Sequence, residues 1–109
     1  MDIAIILRTK NEGRYLGRTL NLLQSQVYLP APKIIVVDSG SSDDTLSIAA
    51  RHPQVQILKI PAENFSYGRA LNLGIAAAEG EVAVALSAHA FPCDRFWLQR
   101  RGCCRGDYW

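Results

Sequence analysis

The chain has 109 residues, 49% of them hydrophobic and 20% charged, with a formal net charge of +2. An apolar fraction of that size buries enough surface to offset chain entropy, which describes one globular domain and excludes a disordered or collagen-like chain. The slight basic excess, much of it near the C-terminus, forms no block of the kind that binds nucleic acid or an anionic membrane. No apolar run approaches the roughly 20 residues that span a bilayer, and the first run follows Asp2 rather than a basic segment. The expectation is a cytoplasmic protein without a signal peptide. Its three cysteines, Cys93, Cys103 and Cys104, are odd in number, lack C-x-x-C spacing and read as reduced thiols.

The first element is an apolar run at residues 3–7. Tyr15, Leu16, Thr19, Leu20 and Leu23 follow at spacings of three and four, which predicts an amphipathic helix of about fourteen residues. A second run, 33–37, leads into Ser41, Ser42, Asp43 and Asp44, helix-capping residue types with carboxylates in a first turn, and then into Leu46, Ile48 and Ala49. A third run covers 55–60. Leu71, Gly74, Ile75 and Ala78 make another helical stripe, stopped by Gly80, and a fourth run covers 82–86. Runs this short and this apolar are the pattern of strands buried on both faces of a parallel sheet. The order βαβαβαβ therefore predicts an α/β fold: an open parallel sheet with helices on both faces.

Such a sheet takes its ligand in the crevice beyond the carboxyl ends of its strands. The loops there are polar: Arg-Thr-Lys-Asn-Glu at 8–12, Asp-Ser-Gly-Ser-Ser-Asp-Asp at 38–44, Pro-Ala-Glu-Asn-Phe-Ser at 61–66 and Ser-Ala-His-Ala at 87–90. From about Arg95 the chain loses periodicity and offers no fifth strand. The fourth strand is then an open edge, which the tail would cover or a second copy of the chain would pair with, so a homo-oligomer through that edge is expected.

Asp38 ends the second strand, where a dinucleotide-binding unit would hold a ribose. The glycine-rich turn G-x-G-x-x-G is replaced, however, by Arg8-Thr9-Lys10-Asn11-Glu12-Gly13, whose side chains keep a pyrophosphate off the backbone, and the phosphate loop G-x-x-x-x-G-K-[ST] is absent. Four other strings occur in order. They are Ile-Ile-Leu-Arg-Thr-Lys-Asn-Glu at 5–12, Ile-Ile-Val-Val-Asp-Ser-Gly-Ser-Ser-Asp-Asp-Thr at 34–45, Phe-Ser-Tyr-Gly-Arg-Ala-Leu-Asn-Leu-Gly-Ile at 65–75 and Leu-Ser-Ala-His-Ala-Phe-Pro at 86–92. On these strings the sequence resembles, from residue 2 to about 98, the nucleotide-sugar-binding half of a family 2 glycosyltransferase of the Rossmann-like GT-A type, in a rhamnosyltransferase-like subgroup.

The resemblance implies a role for particular residues. Thr9 and Glu12 would lie beside the nucleoside, and Asp38, an acceptor-only group that the loop keeps within reach of solvent, would take the N3–H of uracil or thymine. The donor would then be a sugar of the UDP or dTDP type. Asp43 and Asp44 read mainly as capping residues, since carboxylates in a first helical turn gain from the macrodipole in any protein. Arg69 and Asn72, three apart on the third helix, would face the diphosphate, Arg69 through its planar donor fork, the other reading of Arg69 being a solvated surface arginine. Asn72 stands where the family has the asparagine of Ala-Arg-Asn-x-Gly, but its neighbour here is Leu71. After the fourth strand the family carries Asp-x-Asp, whose carboxylates hold a divalent cation; here Ser87, Ala88 and His89 take those places, with Ser87 a substrate contact. His89 is open to three readings: a ligand for manganese or magnesium beside diphosphate oxygens, a donor to the diphosphate, or a buried, satisfied histidine. His52 reads as a surface residue. Phe65, Tyr67 and Phe91 could stack on a base or sugar, though core or rim packing is the commoner use of such aromatics.

The expected reaction is sugar transfer to a polysaccharide or lipid-linked acceptor, the latter at a membrane surface. In the family the general base is a carboxylate from the second half of the domain. The match fades near Leu98 and residues 99–109 form an atypical tail, so the expectation is a domain truncated after about four strands and weakly active or inactive alone. The alternative is a non-catalytic nucleotide-binding or self-associating fragment.

Overall fold

The computed structural model describes residues 3–26, 31–78 and 82–88; the expectations for His89, Phe91, the cysteines and the 99–109 tail lie outside these. Four strands, β1 (Ile3–Thr9), β2 (Lys33–Asp38), β3 (Gln56–Lys59) and β4 (Val82–Ser87), alternate with helices α1 (Gly13–Gln24), α2 (Thr45–Ala50) and α3 (Tyr67–Ala78). The strands are parallel throughout in the order β3-β2-β1-β4.

Because strand side chains alternate between faces, β1 and β2 feed two separate cores. On one face Ile3, Ile5, Leu7, Ile34 and Val36 meet Leu16, Leu20 and Leu23 of α1 and Ala49 of α2. On the other, Ala4, Ile6, Ile35 and Val37 meet Ala70 and Ala78 of α3. Helices thus cover both faces, as the strand and helix pattern predicts. Each fully buried leucine of α1 contributes on the order of 1.5–3 kcal/mol of transfer free energy.

Three local expectations are corrected. Tyr15 is exposed, so the buried stripe of α1 is Leu16, Thr19, Leu20 and Leu23. On α3 the buried positions are Ala70, Gly74 and Ala78, four apart, while Leu71 is only half-buried and Ile75 is exposed. Small residues win there because the helix lies close to β1: a Cβ on Gly74 would stand 2.6 Å from Ile6 Cγ2. Finally, β3 is shorter than the 55–60 run and is not buried on both faces, because it is an edge strand with Gln56 and Lys59 exposed. Among the described residues β4 pairs with β1 alone and forms the other edge.

Candidate functional site

The loops after β1 and β2 are stitched together from side chains about thirty residues apart. Asn11 makes this junction. It has φ +54°, a left-handed conformation that asparagine tolerates better than most residues, and its Oδ1 accepts from the backbone N–H of Ser42 at 2.7 Å and of Asp43 at 3.3 Å. Its own N–H donates to Ser41 Oγ at 2.9 Å. Next along the chain, Glu12 N–H donates to Thr45 Oγ1 at 2.9 Å and Gly13 N–H to Asp43 Oδ2 at 3.1 Å.

Asp43 therefore binds the first turn of α1 as well as that of α2, where its Oδ1 accepts from the Thr45 N–H at 2.9 Å and from the Thr45 hydroxyl. The Thr45 hydroxyl, with help from the Thr45 and Gly13 N–H groups, holds the Asp43 carboxyl below the usual carboxylate range against a smaller desolvation effect. Asp44 makes no side-chain cap to its own helix and lies against Gly13, where a Cβ would overlap its carboxylate. Both acids thus face the positive end of α1, a correction to reading them as caps of α2 alone.

Asp38 sits beneath this junction. The register pairs it with Thr9, which puts both side chains on the same face, and Thr9 Oγ1 donates to Asp38 Oδ1 at 2.7 Å. Ser41 Oγ donates to the same oxygen at 2.5 Å, while Oδ2 accepts from the N–H groups of Gly40 at 3.0 Å and Ser41 at 2.9 Å. Gly40 has φ +93°, a left-handed turn that suits a residue without Cβ and lets two successive N–H groups converge on one oxygen. Burial alone would push the Asp38 carboxyl up, but the donors from Ser41, Thr9 and Gly40 together outweigh it and hold the group below its ordinary value. The side chain is 1% exposed, so it is not within reach of solvent as expected. The loop folds over it because each carboxylate oxygen has two donors to collect.

Above this floor a cleft of about 380 Å³ opens at the carboxyl ends of β1 and β4, where the strand order reverses, which is the ligand position in an open α/β sheet. It is lined by Arg8, Thr9, Lys10, Glu12, Ser39, Tyr67 and Ser87. Arg8 is paired in register with Ser87, which points both side chains the same way. The Thr19 hydroxyl donates to Ala88 O at 2.5 Å and so ties α1 to the end of β4.

Of the expected site residues, the structure brings Thr9, Glu12 and Ser87 into this cleft, with Asp38 bonded directly behind Thr9. Arg69 and Asn72 are exposed on α3 and do not line it; Arg69 Nη1 donates to Asn64 O at 3.2 Å. Tyr67 is 69% exposed, a rim residue rather than a core one, with its ring edge to face with Phe65 at 5.5 Å. Arg8, Lys10 and Ser39 were not singled out from sequence. The alternation of β1 could have flagged Arg8, because it stands one residue before the strand's end at the crevice, on the face opposite Thr9. His52 is half-buried, with Nδ1 at 2.7 Å from Gln24 Oε1.

Among the described residues Glu12 is the one carboxylate that lines the cleft, and no group of three or more His, Cys, Asp or Glu there could hold a metal ion. The described donor set therefore does not by itself fit a divalent cation. Among the same residues no helix is long and apolar enough to cross a membrane.

Comparison with known proteins places this geometry. The O-antigen chain rhamnosyltransferase RfbN of Salmonella typhimurium is 32% identical over 95 residues, which cover 86% of this chain and 30% of that protein. Mannosyltransferase PcManGT from Pyrobaculum calidifontis, solved in complex with GDP-Man and Mn2+, matches with a TM-score of 0.74 and 29% identity over 85% of this chain and 29% of its own. S. aureus TarS 1-349 in complex with UDP-GlcNAc matches the fold with a TM-score of 0.82, at 23% identity over 92% of this chain and 30% of its own. These likenesses meet the expectation of a GT-A fold. The chain spans between 28% and 33% of the length of the curated relatives it matches. With the family described as Glycosyl transferase family 2 matching residues 4–100, the chain belongs to that family.

Proposed function

We propose that the chain is the nucleotide-sugar-binding portion of a glycosyltransferase that moves a sugar from a nucleoside diphosphate sugar to a polysaccharide or lipid-linked acceptor. The observation that carries this reading is the cleft at the β1/β4 reversal, with the Thr9–Asp38 pair at its base and Arg8, Lys10 and Ser87 at its walls. A nucleoside needs fixed donors and acceptors and a diphosphate needs positive charge, and the cleft offers both. The relatives solved with GDP-Man and with UDP-GlcNAc support the donor class.

The pyrimidine preference rests on Asp38. A carboxylate has about four acceptor directions, and all are taken. A base imide would therefore have to displace a hydroxyl on Oδ1, that of Thr9 or Ser41, since hydroxyls turn freely while the two N–H groups on Oδ2 are fixed by the backbone. Glu12 and Ser87 complete the proposed contacts within the cleft, Arg69 and Asn72 extend the site along α3, and His89 is a further proposed contact of the donor. A manganese or magnesium ion belongs to this reading, with His89 as the residue that would help to hold it beside the donor's own diphosphate. The β4 edge favours a second reading, a self-associating nucleotide-binding module without catalysis, because that edge pairs with β1 alone among the described residues.

Titration of UDP, dTDP and GDP, with and without manganese, tests the proposal by calorimetry. Saturable binding, tighter for the pyrimidine diphosphates and strengthened by the metal, is expected. Absence of binding for all three up to millimolar concentration overturns it, and a concentration-dependent dimer that binds no nucleotide would establish the second reading.

A further inference from the structure

Arg8 is the cation whose surroundings are least explained by folding. Its guanidinium carbon stands 4.4 Å from the centroid of the Tyr67 ring, and its Nε is buried with no hydrogen-bond acceptor among the described residues. No described carboxylate pairs with it. A buried donor without an acceptor is rare in a folded protein, and this one belongs to a side chain that lines the ligand cleft. Stacking on a ring uses the face of the guanidinium and leaves its in-plane N–H groups directed sideways, the arrangement that matches phosphate oxygens two at a time. Lys10 and Ser87 line the same cleft, Ser87 beside Arg8 in the sheet register. Tyr67, the first residue of α3, is itself steadied by the edge of Phe65.

We infer that Arg8 and Tyr67 form an anion grip at the cleft, in which the tyrosine ring carries the guanidinium and the guanidinium takes the phosphate end of a nucleoside diphosphate. The inference rests on the donor-binding reading for the identity of its ligand, though not for its chemistry. Arg8 is the contact and Tyr67 a positioning residue.

The test compares UDP, uridine and inorganic pyrophosphate on the full chain. Wild type binds UDP more tightly than uridine. Arg8→Gln weakens UDP by on the order of tenfold, the loss of one charge-assisted contact, and leaves uridine unchanged, which also reports that the cleft is folded. Arg8→Lys recovers only part of the difference, because it restores charge without the planar fork. Tyr67→Phe keeps the ring and binds as wild type, whereas Tyr67→Ala weakens UDP and spares uridine. Equal UDP affinity in wild type and Arg8→Gln overturns the grip while leaving the donor-binding reading intact. If the chain binds neither UDP nor uridine, the donor-binding reading fails and pyrophosphate decides the grip: binding lost in Arg8→Gln sustains it, and binding that is absent or unaffected overturns it.

Discussion

Substituting Asp38 in two ways separates its acceptor role from its charge. Its two oxygens have different clients: Oδ1 receives hydroxyls from Thr9 and Ser41, and Oδ2 receives the backbone N–H groups of Gly40 and Ser41. Asp38→Asn can place its carbonyl at Oδ2 and its amide at Oδ1, where both hydroxyls turn from donating to accepting. Every polar group then keeps a partner, and only the charge assistance is lost, about 1 kcal/mol. Asp38→Ala strands the two N–H groups, which cannot turn. At about 1–3 kcal/mol per unsatisfied donor, less the relief of burying no carboxylate, the cost is about 2–4 kcal/mol. Urea unfolding at pH 7 reads this directly: with a slope of about 1–2 kcal/mol/M, the Asp38→Ala midpoint falls by about 2 M and that of Asp38→Asn by less than about 1 M. The pH dependence supplies a second check. Asp38 has a folded pKa below its unfolded value of 3.8, so the unfolded state binds the proton more readily; the contribution of the charge is full above that value and is lost as pH falls through the folded pKa. Wild type and Asp38→Asn should therefore converge in acid. Equal damage from the two substitutions, or a wild-type advantage over Asp38→Asn that persists unchanged in acid, would refute the division of donors between the two oxygens.

Two glycines of α3 should respond to alanine with opposite signs. Gly74→Ala places a methyl 2.6 Å from Ile6 Cγ2, on a buried side chain that is stiff at χ1; overpacking at about 1–3 kcal/mol exceeds the helix gain of about 1 kcal/mol, so thermal unfolding should show net loss. Gly68 has nothing within 4 Å of its would-be Cβ, and Gly68→Ala should raise stability by about 0.5 kcal/mol. At Asn11, φ +54° penalises any residue with a Cβ and no local hydrogen bond, so Asn11→Ala should be less stable than Asn11→Gly by about 1 kcal/mol in denaturant melts, both below wild type because Ser42 N–H loses its acceptor. Equal stability of the two Asn11 variants would mean that the left-handed turn relaxes.

Much of the fold was legible because its signals are local. The β1 and β2 runs are apolar at successive positions, which only a strand covered on both faces requires, and Leu16, Leu20 and Leu23 fall on one helical stripe. The stripe of α3 was misplaced for a physical reason: hydrophobicity ranks Ile75 above Ala70, but the distance between helix and sheet was set by Gly74, and a helix lying that close presents its smallest residues inward. Likewise the 55–60 run has the composition of a central strand, and nothing within it reveals that, among the described residues, two strands stand on the far side of β2 and none beyond β3.

The site divides along the same line. That Thr9 and Asp38 end adjacent strands follows from the strand pattern, and their hydrogen bond follows from the register. What Asn11, Asp43 and Asp44 do could not be read from their own neighbourhoods, because each serves a partner about thirty residues away, and an acidic pair at the start of one helix looks the same whether it caps that helix or the one beside it. Arg8 was overlooked for the converse reason. Within the sequence it is one more polar residue after an apolar run, and its meaning depends on three facts that only packing supplies: a ring beneath its guanidinium, burial of Nε, and no carboxylate partner among the described residues. A charge held in place by a neutral ring retains its full attraction for an incoming anion, whereas a charge held by a carboxylate has already surrendered most of it. On that argument a guanidinium braced by tyrosine is the form in which a cleft can keep positive charge available before its ligand arrives.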